Sequence, residues 1–467
     1  MTRRPAPERR RARARGARAA CVGALAILLA PGPAVAAETL TQALARAYRS
    51  NPALAAERAR QRADDENVPR ALSGFRPSVS VDLGFGPTFE RDGQGRLRIA
   101  SPGTYALNLS QTLYDGQRTA ASVRSAESGV LAGRETLRSL EQTVLLTAVT
   151  AFMNVIRDRA VVELQRGNVG FLEEALRIAR KRFETGDRSQ TDAVQAEARL
   201  ARGKADFALA GAALVASRAA YRAAVGTEPG ALVQPDPEGF VEPGESSLQL
   251  RAGFDEHPDV RAAMHEVDAS TNDVIVARSD LLPSVTAQAG IAGAIGRGLD
   301  NDTPRLAPSA GIAATVPIYD GGLASAQVRQ AKETVGQRRF ELEAARDQIT
   351  ADFRTNSGSL RAARDSARAA RVAVEANEIA LAGVQREAQG GQRTTLDILN
   401  AQQELVNART NLIAAQRDRV VAYFATLSSS GALSHAHLRL PGPAYRPETH
   451  AAQTRDLWFG LSTPDGR

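Results

Sequence analysis

A repeat with a period near 205 residues decides more about this 467-residue chain than any other feature. Asn51-Pro52 returns as His257-Pro258, and Phe75-Arg76-Pro77-Ser78-Val79 returns as Leu281-Leu282-Pro283-Ser284-Val285. Leu113-Tyr114-Asp115-Gly116 returns as Ile318-Tyr319-Asp320-Gly321, and Gly186 and Asp192 return as Gly391 and Asp397. Ordered self-similarity at a nearly fixed offset marks one supersecondary unit used twice. The expected halves are 37–240 and 241–430, followed by a polar tail at 431–467.

Each half follows one plan. Helical stretches at 40–50 and 52–73 are echoed by 247–255 and 258–280. Pro77 and Pro283 then end helix and favour extended chain before them. Two strands follow in each half, about 77–90 and 103–115, then about 283–297 and 308–319. In the first, Val79, Val81, Leu83, Phe85 and Phe89 alternate with Ser78, Ser80, Asp82, Gly84 and Thr88. In its partner, Tyr105, Leu107, Leu109 and Leu113 alternate with small and polar residues, across a polar loop at 91–103. The second half repeats this with Val285, Ala287, Ala289, Ile291 and Ile295, then Ile312, Ala314, Val316 and Ile318. Period-two alternation gives each sheet one apolar and one small or polar face.

That alternation fits a soluble sandwich with one wet face. It also fits transmembrane strands, which need roughly 9–11 residues. Four strands cannot close a pore, since outer-membrane barrels have about eight or more, so a barrel would be shared between copies of the chain. Two or three copies both satisfy the count.

After Gly116 the period changes. Val123, Val130, Leu137 and Val144 are seven residues apart, as are Val328, Val335, Leu342 and Ile349. Seven-residue spacing keeps apolar contacts on one seam of supercoiling helices. The first rod runs to about Phe183, and at 1.5 Å per residue such rods span roughly 100 Å. Turns at about 184–191 and 389–395 send helices back through 192–225 and 397–428. A long-hairpin protein without a pore shares this helical pattern.

Of 59 basic and 52 acidic residues, eight arginines and Glu8 lie in residues 1–37, leaving 51 of each sign in the rest. The basic excess therefore belongs to the leader and supports no nucleic-acid partner. Residues 1–36 have the form of a secretory signal peptide: arginines, an apolar run Cys21–Ala30, and small residues ending at Ala34-Val35-Ala36. Cys21 is the only cysteine, so removal of the leader leaves no thiol. No later stretch reads as a membrane-spanning helix, which leaves closed strands as the way across a bilayer.

The chain carries no phosphate loop, zinc-protease motif or nucleophile elbow. His435-x-His437 offers two ligands without a third, and His257 at the position of Asn51 reads as a helix cap. Gly290, Gly293, Gly296 and Gly298 read as small residues on a crowded wall. No enzyme, cofactor or metal is expected.

The chain resembles the TolC family of outer-membrane channel proteins over about 37–430. The resemblance rests on Asn51-Pro52, Leu281–Val285, Val316-Pro317-Ile318-Tyr319-Asp320-Gly321-Gly322 and Leu396-Asp397-Ile398-Leu399-Asn400-Ala401-Gln402. It implies an α+β membrane protein, a homotrimer with a shared barrel of about twelve strands in outer-membrane lipid and a long periplasmic α-helical coiled-coil tube. It also implies a periplasmic adaptor and an inner-membrane transporter of the ATP-binding cassette type. Asp397, Asn400, Arg393 and Asp192 fall at the periplasmic constriction. Asn400 stands where a second aspartate is familiar, and Ala388 where a tyrosine is. Phe183, Gly186, Arg188, Gly391, Thr395 and Leu396 fall at the tip where the adaptor docks. Tyr445-Arg446-Pro447-Glu448 and Arg455–Gly460 look like the type I protein-secretion branch, with small-molecule efflux as the alternative cargo.

Overall fold

A computed structural model describes residues 37–91, 95, 97–100, 103–185, 190–236, 254–295, 305–464 and 466. The leader, Gly186, Arg188, Gly296, Gly298 and residues 237–253, with most of the helical stretch expected at 247–255, lie outside them.

The chain opens with α1 (Leu40–Ser50), α2 (Pro52–Asp65) and α3 (Asn67–Leu72), then a 3-10 turn at Ser73–Phe75. The single helix expected over 52–73 divides because Pro69 has no N–H to donate to the carbonyl four residues back. Asn51 caps α2, its side chain accepting from the N–H groups of Ala53 and Leu54. In the second half His257 caps α6 (Pro258–Ser279) in the same way, accepting from Asp259 N–H. The cap position thus needs an acceptor and not imidazole chemistry.

The strands are β1 (Ser78–Phe85), β2 (Thr88–Arg91), β3 (Leu97–Ala100), β4 (Gly103–Tyr114), β5 (Ser284–Ile295) and β6 (Arg305–Thr315). The first strand was expected to run unbroken to about 90, but it stops before Gly86-Pro87. Beyond that point β2, at the end of the expected strand, pairs antiparallel with β3, which lies inside what reads as a loop at 91–103. A proline cannot donate to a ladder, so the chain leaves the sheet there. Likewise β6 ends at Thr315 and not at 319, because Pro317 interrupts it, and it starts earlier than 308.

β1, β4, β5 and β6 form one antiparallel sheet in that order, with β1 and β6 at its edges. Register gathers the apolar residues of all four strands on one face. Val79, Leu109, Ala289 and Ala310 form one row; Val81, Leu107, Ile291 and Pro308 form the next; Leu83, Tyr105, Gly293 and Leu306 form a third. The opposite face carries Ser80, Asn108, Gly290 and Ser309, and Ser78, Ser110, Gln288 and Gly311. A Cβ on Gly290 would lie 3.0 Å from the Leu107 carbonyl oxygen, so this wall is crowded there. A shift between Thr112 and Tyr114 sets Leu113 outside the regular register.

Two rods leave the sheet. α4 (Arg118–Glu184) and α7 (Leu323–Gln389) each have 67 residues. Both begin and end 205 residues apart, the period read from the sequence. Tyr-Asp-Gly explains how each starts. Asp115 Oδ2 accepts from Thr119 N–H at 2.8 Å, and Asp320 Oδ2 from Ala324 N–H at 2.7 Å. Gly116 and Gly321, at φ +65° and +73°, supply the left-handed step that L side chains resist.

The return helices are α5 (Gln190–Val225) and α8 (Thr395–Ser429). α4 packs along α5, α6 and α8, while α7 packs along α6 and α8. The main core joins α1, α4, α5 and α8 through Leu44, Leu145, Val149, Phe152, Tyr221, Val225, Val420 and Phe424. α4 does contain one stretch long and apolar enough to span a bilayer, against expectation. Half of that stretch is buried inside the protein, as suits a rod enclosed by other helices.

The tail is not a loose appendage. Leu433 and Leu440 enter the main core, and α9 (Pro447–Thr454) packs on α2. There His450 Nδ1 lies 3.0 Å from Asp65 Oδ2, both side chains buried.

Candidate functional site

The far ends of the rods carry four of the six expected tip residues, Phe183, Gly391, Thr395 and Leu396. Phe183 is half exposed in the last turn of α4. Asp192 lies in the first turn of α5, and Gly391 takes φ +78° between α7 and α8. Thr395 and Leu396 begin α8. A small cluster of Leu172, Leu176, Ala179, Ala196 and Leu399 ties α4, α5 and α8 together.

Asp397 is a helix cap before it is anything else. Thr394 N–H and Oγ1–H both donate to Asp397 Oδ2 at 2.9 Å, and Asp397 N–H donates to Thr394 Oγ1 at 3.2 Å. This reciprocal box satisfies donors that a helix start leaves open. The Thr394 bonds, aided by the Arg393 charge, hold the Asp397 carboxyl below the ordinary aspartate range. It is therefore a fixed negative charge at neutral pH, held at the mouth of α8.

Arg393 binds within its own turn, donating from Nε to Glu387 Oε2 at 2.8 Å. Within one chain the ion pair of Arg393 is thus with Glu387, at the end of α7. Asn400 is engaged by a residue that sequence reading missed: Arg199 Nη2 donates to its Oδ1 at 2.9 Å. Arg199 lies seven positions after Asp192, two turns further along the same face of α5.

Arg199–Asn400 is one of a series of polar contacts between the two halves. Gln402 Nε2 donates to Asn168 Oδ1 at 3.3 Å, and Arg417 Nε to Asn154 Oδ1 at 2.9 Å. Each joins α8 to a first-half helix.

Between α4 and the α7–α8 turn lies a groove of about 280 Å³, lined by Phe171, Ile178, Arg182, Ala388, Thr395 and Ile398 among others. Ala388 opens onto it, and a larger side chain there would fill part of it. Among the described residues no group of three or more histidine, cysteine or acidic side chains is placed to hold a metal. His435 instead packs its ring, tilted, against Tyr48, ring centroids 4.7 Å apart, and its backbone N–H donates to Glu141 Oε1 at 2.6 Å.

Comparison with known proteins agrees with this architecture. The sequence model of the family described as outer membrane efflux protein matches residues 43–227 and 254–431. The outer membrane efflux protein BepC of Brucella suis biovar 1 is 37% identical over 440 residues, covering 93% of this chain and 94% of BepC. The outer membrane protein TolC of Vibrio cholerae is 26% identical over 340 residues, covering 71% of this chain and 76% of that one. The Campylobacter jejuni CmeC outer membrane channel superimposes with a TM-score of 0.78 at 16% identity, over 89% of each chain.

Proposed function

The chain belongs to the outer membrane efflux protein family, and from that premise we propose that three copies form a passive export duct with its constriction at the α5 and α8 ends. It is a non-catalytic channel subunit of the outer membrane, its helices in the periplasm. The single observation behind the trimeric duct is the four-stranded sheet with one continuous apolar face and two edge strands. Edge strands expose unpaired N–H and C=O groups, which lipid cannot satisfy. Joining β6 of one copy to β1 of the next removes the edges, and three copies give about twelve strands. The apolar rows then face lipid, and the serine, asparagine and glycine rows face water.

The 67-residue rods carry the duct across the periplasm toward an adaptor and an inner-membrane transporter that supplies energy. The tip residues Phe183, Gly391, Thr395 and Leu396, with Gly186 and Arg188, form the docking end. Asp397 contributes one carboxylate per copy to a ring at the mouth, and Asp192 and Arg393 belong to the contacts that keep it closed.

For cargo, small-molecule efflux is the better supported reading, because the similarity to an efflux protein, BepC, extends over 93% of this chain. Type I protein secretion through an ATP-binding cassette transporter is the second reading. It is supported by the tail motifs around Tyr445 and Trp458.

Conductance in planar bilayers tests the duct, and the mass of detergent-solubilised particles tests the copy number. Asp397→Ala is expected to raise conductance and weaken cation preference. Unchanged conductance and ion preference would remove Asp397 from the constriction. A monomer soluble without detergent would end the duct reading itself.

A further inference from the structure

Among the described residues, the end of the tail is one of the most exposed apolar stretches outside the strands. Trp458 is 66% exposed, Phe459 92% and Leu461 fully exposed. No described residue buries them, yet the segment is held in place. α9 is fixed to α2 by the buried His450–Asp65 contact, and Arg455 Nη2 bonds Glu127 Oε1 of α4 at 2.6 Å. Arg76 then fastens the last part, donating from Nη1 to the Leu457 carbonyl at 2.6 Å. Its guanidinium lies 4.9 Å from the Trp458 ring centre. A cation over an indole face is the strongest of such pairings.

Position identifies what covers this surface. Arg76 lies two residues before β1, and the lipid-facing row of that strand begins at Val79. Phe75, on the other side of Arg76, is also exposed. The aromatic end of the tail is thus tied to the point where the barrel meets the periplasm. Tryptophan concentrates at membrane–water boundaries, where its ring enters the headgroup layer. Arginine there adds attraction to anionic headgroups.

We propose that Leu457-Trp458-Phe459-Gly460-Leu461 is an interfacial anchor that inserts into the inner leaflet of the outer membrane beside the foot of β1. It gives each subunit a second lipid contact, separate from its strands. This rests on the outer-membrane barrel proposed above. It predicts that tail and barrel share one bilayer boundary, so the tail sets how deep the periplasmic body sits.

Trp458 is the only tryptophan in the chain, so its fluorescence reports this site alone. The full chain would be reconstituted into vesicles of phosphatidylethanolamine and phosphatidylglycerol, with bromine on the acyl chain near the headgroup. Ion flux through the same vesicles reports duct formation independently. The expected result is loss of most Trp458 emission to the brominated lipid, with little quenching by aqueous iodide. Phe459→Asp should restore most of that emission and leave ion flux intact.

Strong iodide quenching without lipid quenching would place the segment in water and overturn the anchor. Resistance to both quenchers would place it against a neighbouring subunit and overturn it equally. Lipid quenching undiminished by Phe459→Asp would mean that apolar insertion does not hold the segment, again overturning the proposal. With flux present, each of these results leaves the duct standing; absence of both flux and insertion would remove the two together.

Discussion

Replacing Asp65 with alanine should free the C-terminal helix from the body while leaving the rods folded. Asp65 is buried, and two donors converge on its carboxylate: His450 Nδ1 at 3.0 Å and Gln61 Nε2 at 3.1 Å. A carboxylate only accepts, so Nδ1 carries the shared proton. Hydrogen bonds to a charged group contribute about 1.5–3 kcal/mol each. Gln61 keeps a second acceptor in the Val130 carbonyl at 3.3 Å, so the loss falls mainly on His450. A cost of about 3 kcal/mol, at about 1.4 kcal/mol per decade, is roughly a hundredfold in the opening equilibrium of α9. Hydrogen exchange of a peptide covering α9 reads that opening directly. Asp64→Ala is the control, since Asp64 is partly exposed and only reaches Arg60 at 3.8 Å. Surface pairs of that kind contribute about 0–1 kcal/mol. Protection of α9 that survives Asp65→Ala would show that apolar packing, and not this buried pair, holds the tail.

Three further outcomes follow from the repeat and the tip. Gly116→Ala and Gly321→Ala each force a side chain into left-handed backbone, at about 1–2 kcal/mol. Only at Gly116 would the new Cβ meet a neighbour, Leu282 Cβ at 2.8 Å, which adds about 1–3 kcal/mol of overpacking; thermal unfolding should rank the two. His257 is pushed below its ordinary value by burial, against the Asp259 and Asp352 charges and with the Arg138 charge. The unfolded chain therefore takes up a proton that the folded chain refuses, and stability should fall as pH drops below about 6.5. His257→Asn, the residue used at position 51, should keep the cap and flatten that slope in melts at neutral and mildly acidic pH. Asn400→Asp should turn the Arg199 hydrogen bond into an ion pair, lower closed-state conductance and make it more sensitive to salt; bilayer recordings at two ionic strengths check this.

The rods were legible because seven-residue spacing persists from Val123 to Val144 and returns 205 residues later from Val328 to Ile349. A signal of that length outweighs local irregularity, and α4 and α7 begin and end at that offset. Strand ends were less legible. Gly86-Pro87 interrupts β1, but nothing in 91–103 announces that β3 pairs with β2 across its polar surroundings. The tail misled for a related reason. Leu433, Leu440 and His450 are buried, yet they are too scattered to form a period, so the segment reads as polar and irregular. At the tip, the Thr394–Asp397 capping box is local, formed by residues three apart at the start of α8. Arg199–Asn400 was not visible because its partners stand 201 residues apart, on helices whose contact exists only after the halves pack.

The equal length of the two rods has an evolutionary corollary. Deleting one residue from α4 alone would turn everything beyond it by about 100° and draw its tip back by about 1.5 Å. The seam toward α5 and α8 would then present the wrong side chains, while α7 remained at its old height. Single-residue insertions and deletions are therefore excluded from these helices unless the opposite half changes in concert. Length variation among relatives should collect at the outer ends of the strand pairs, between the halves and beyond Thr454.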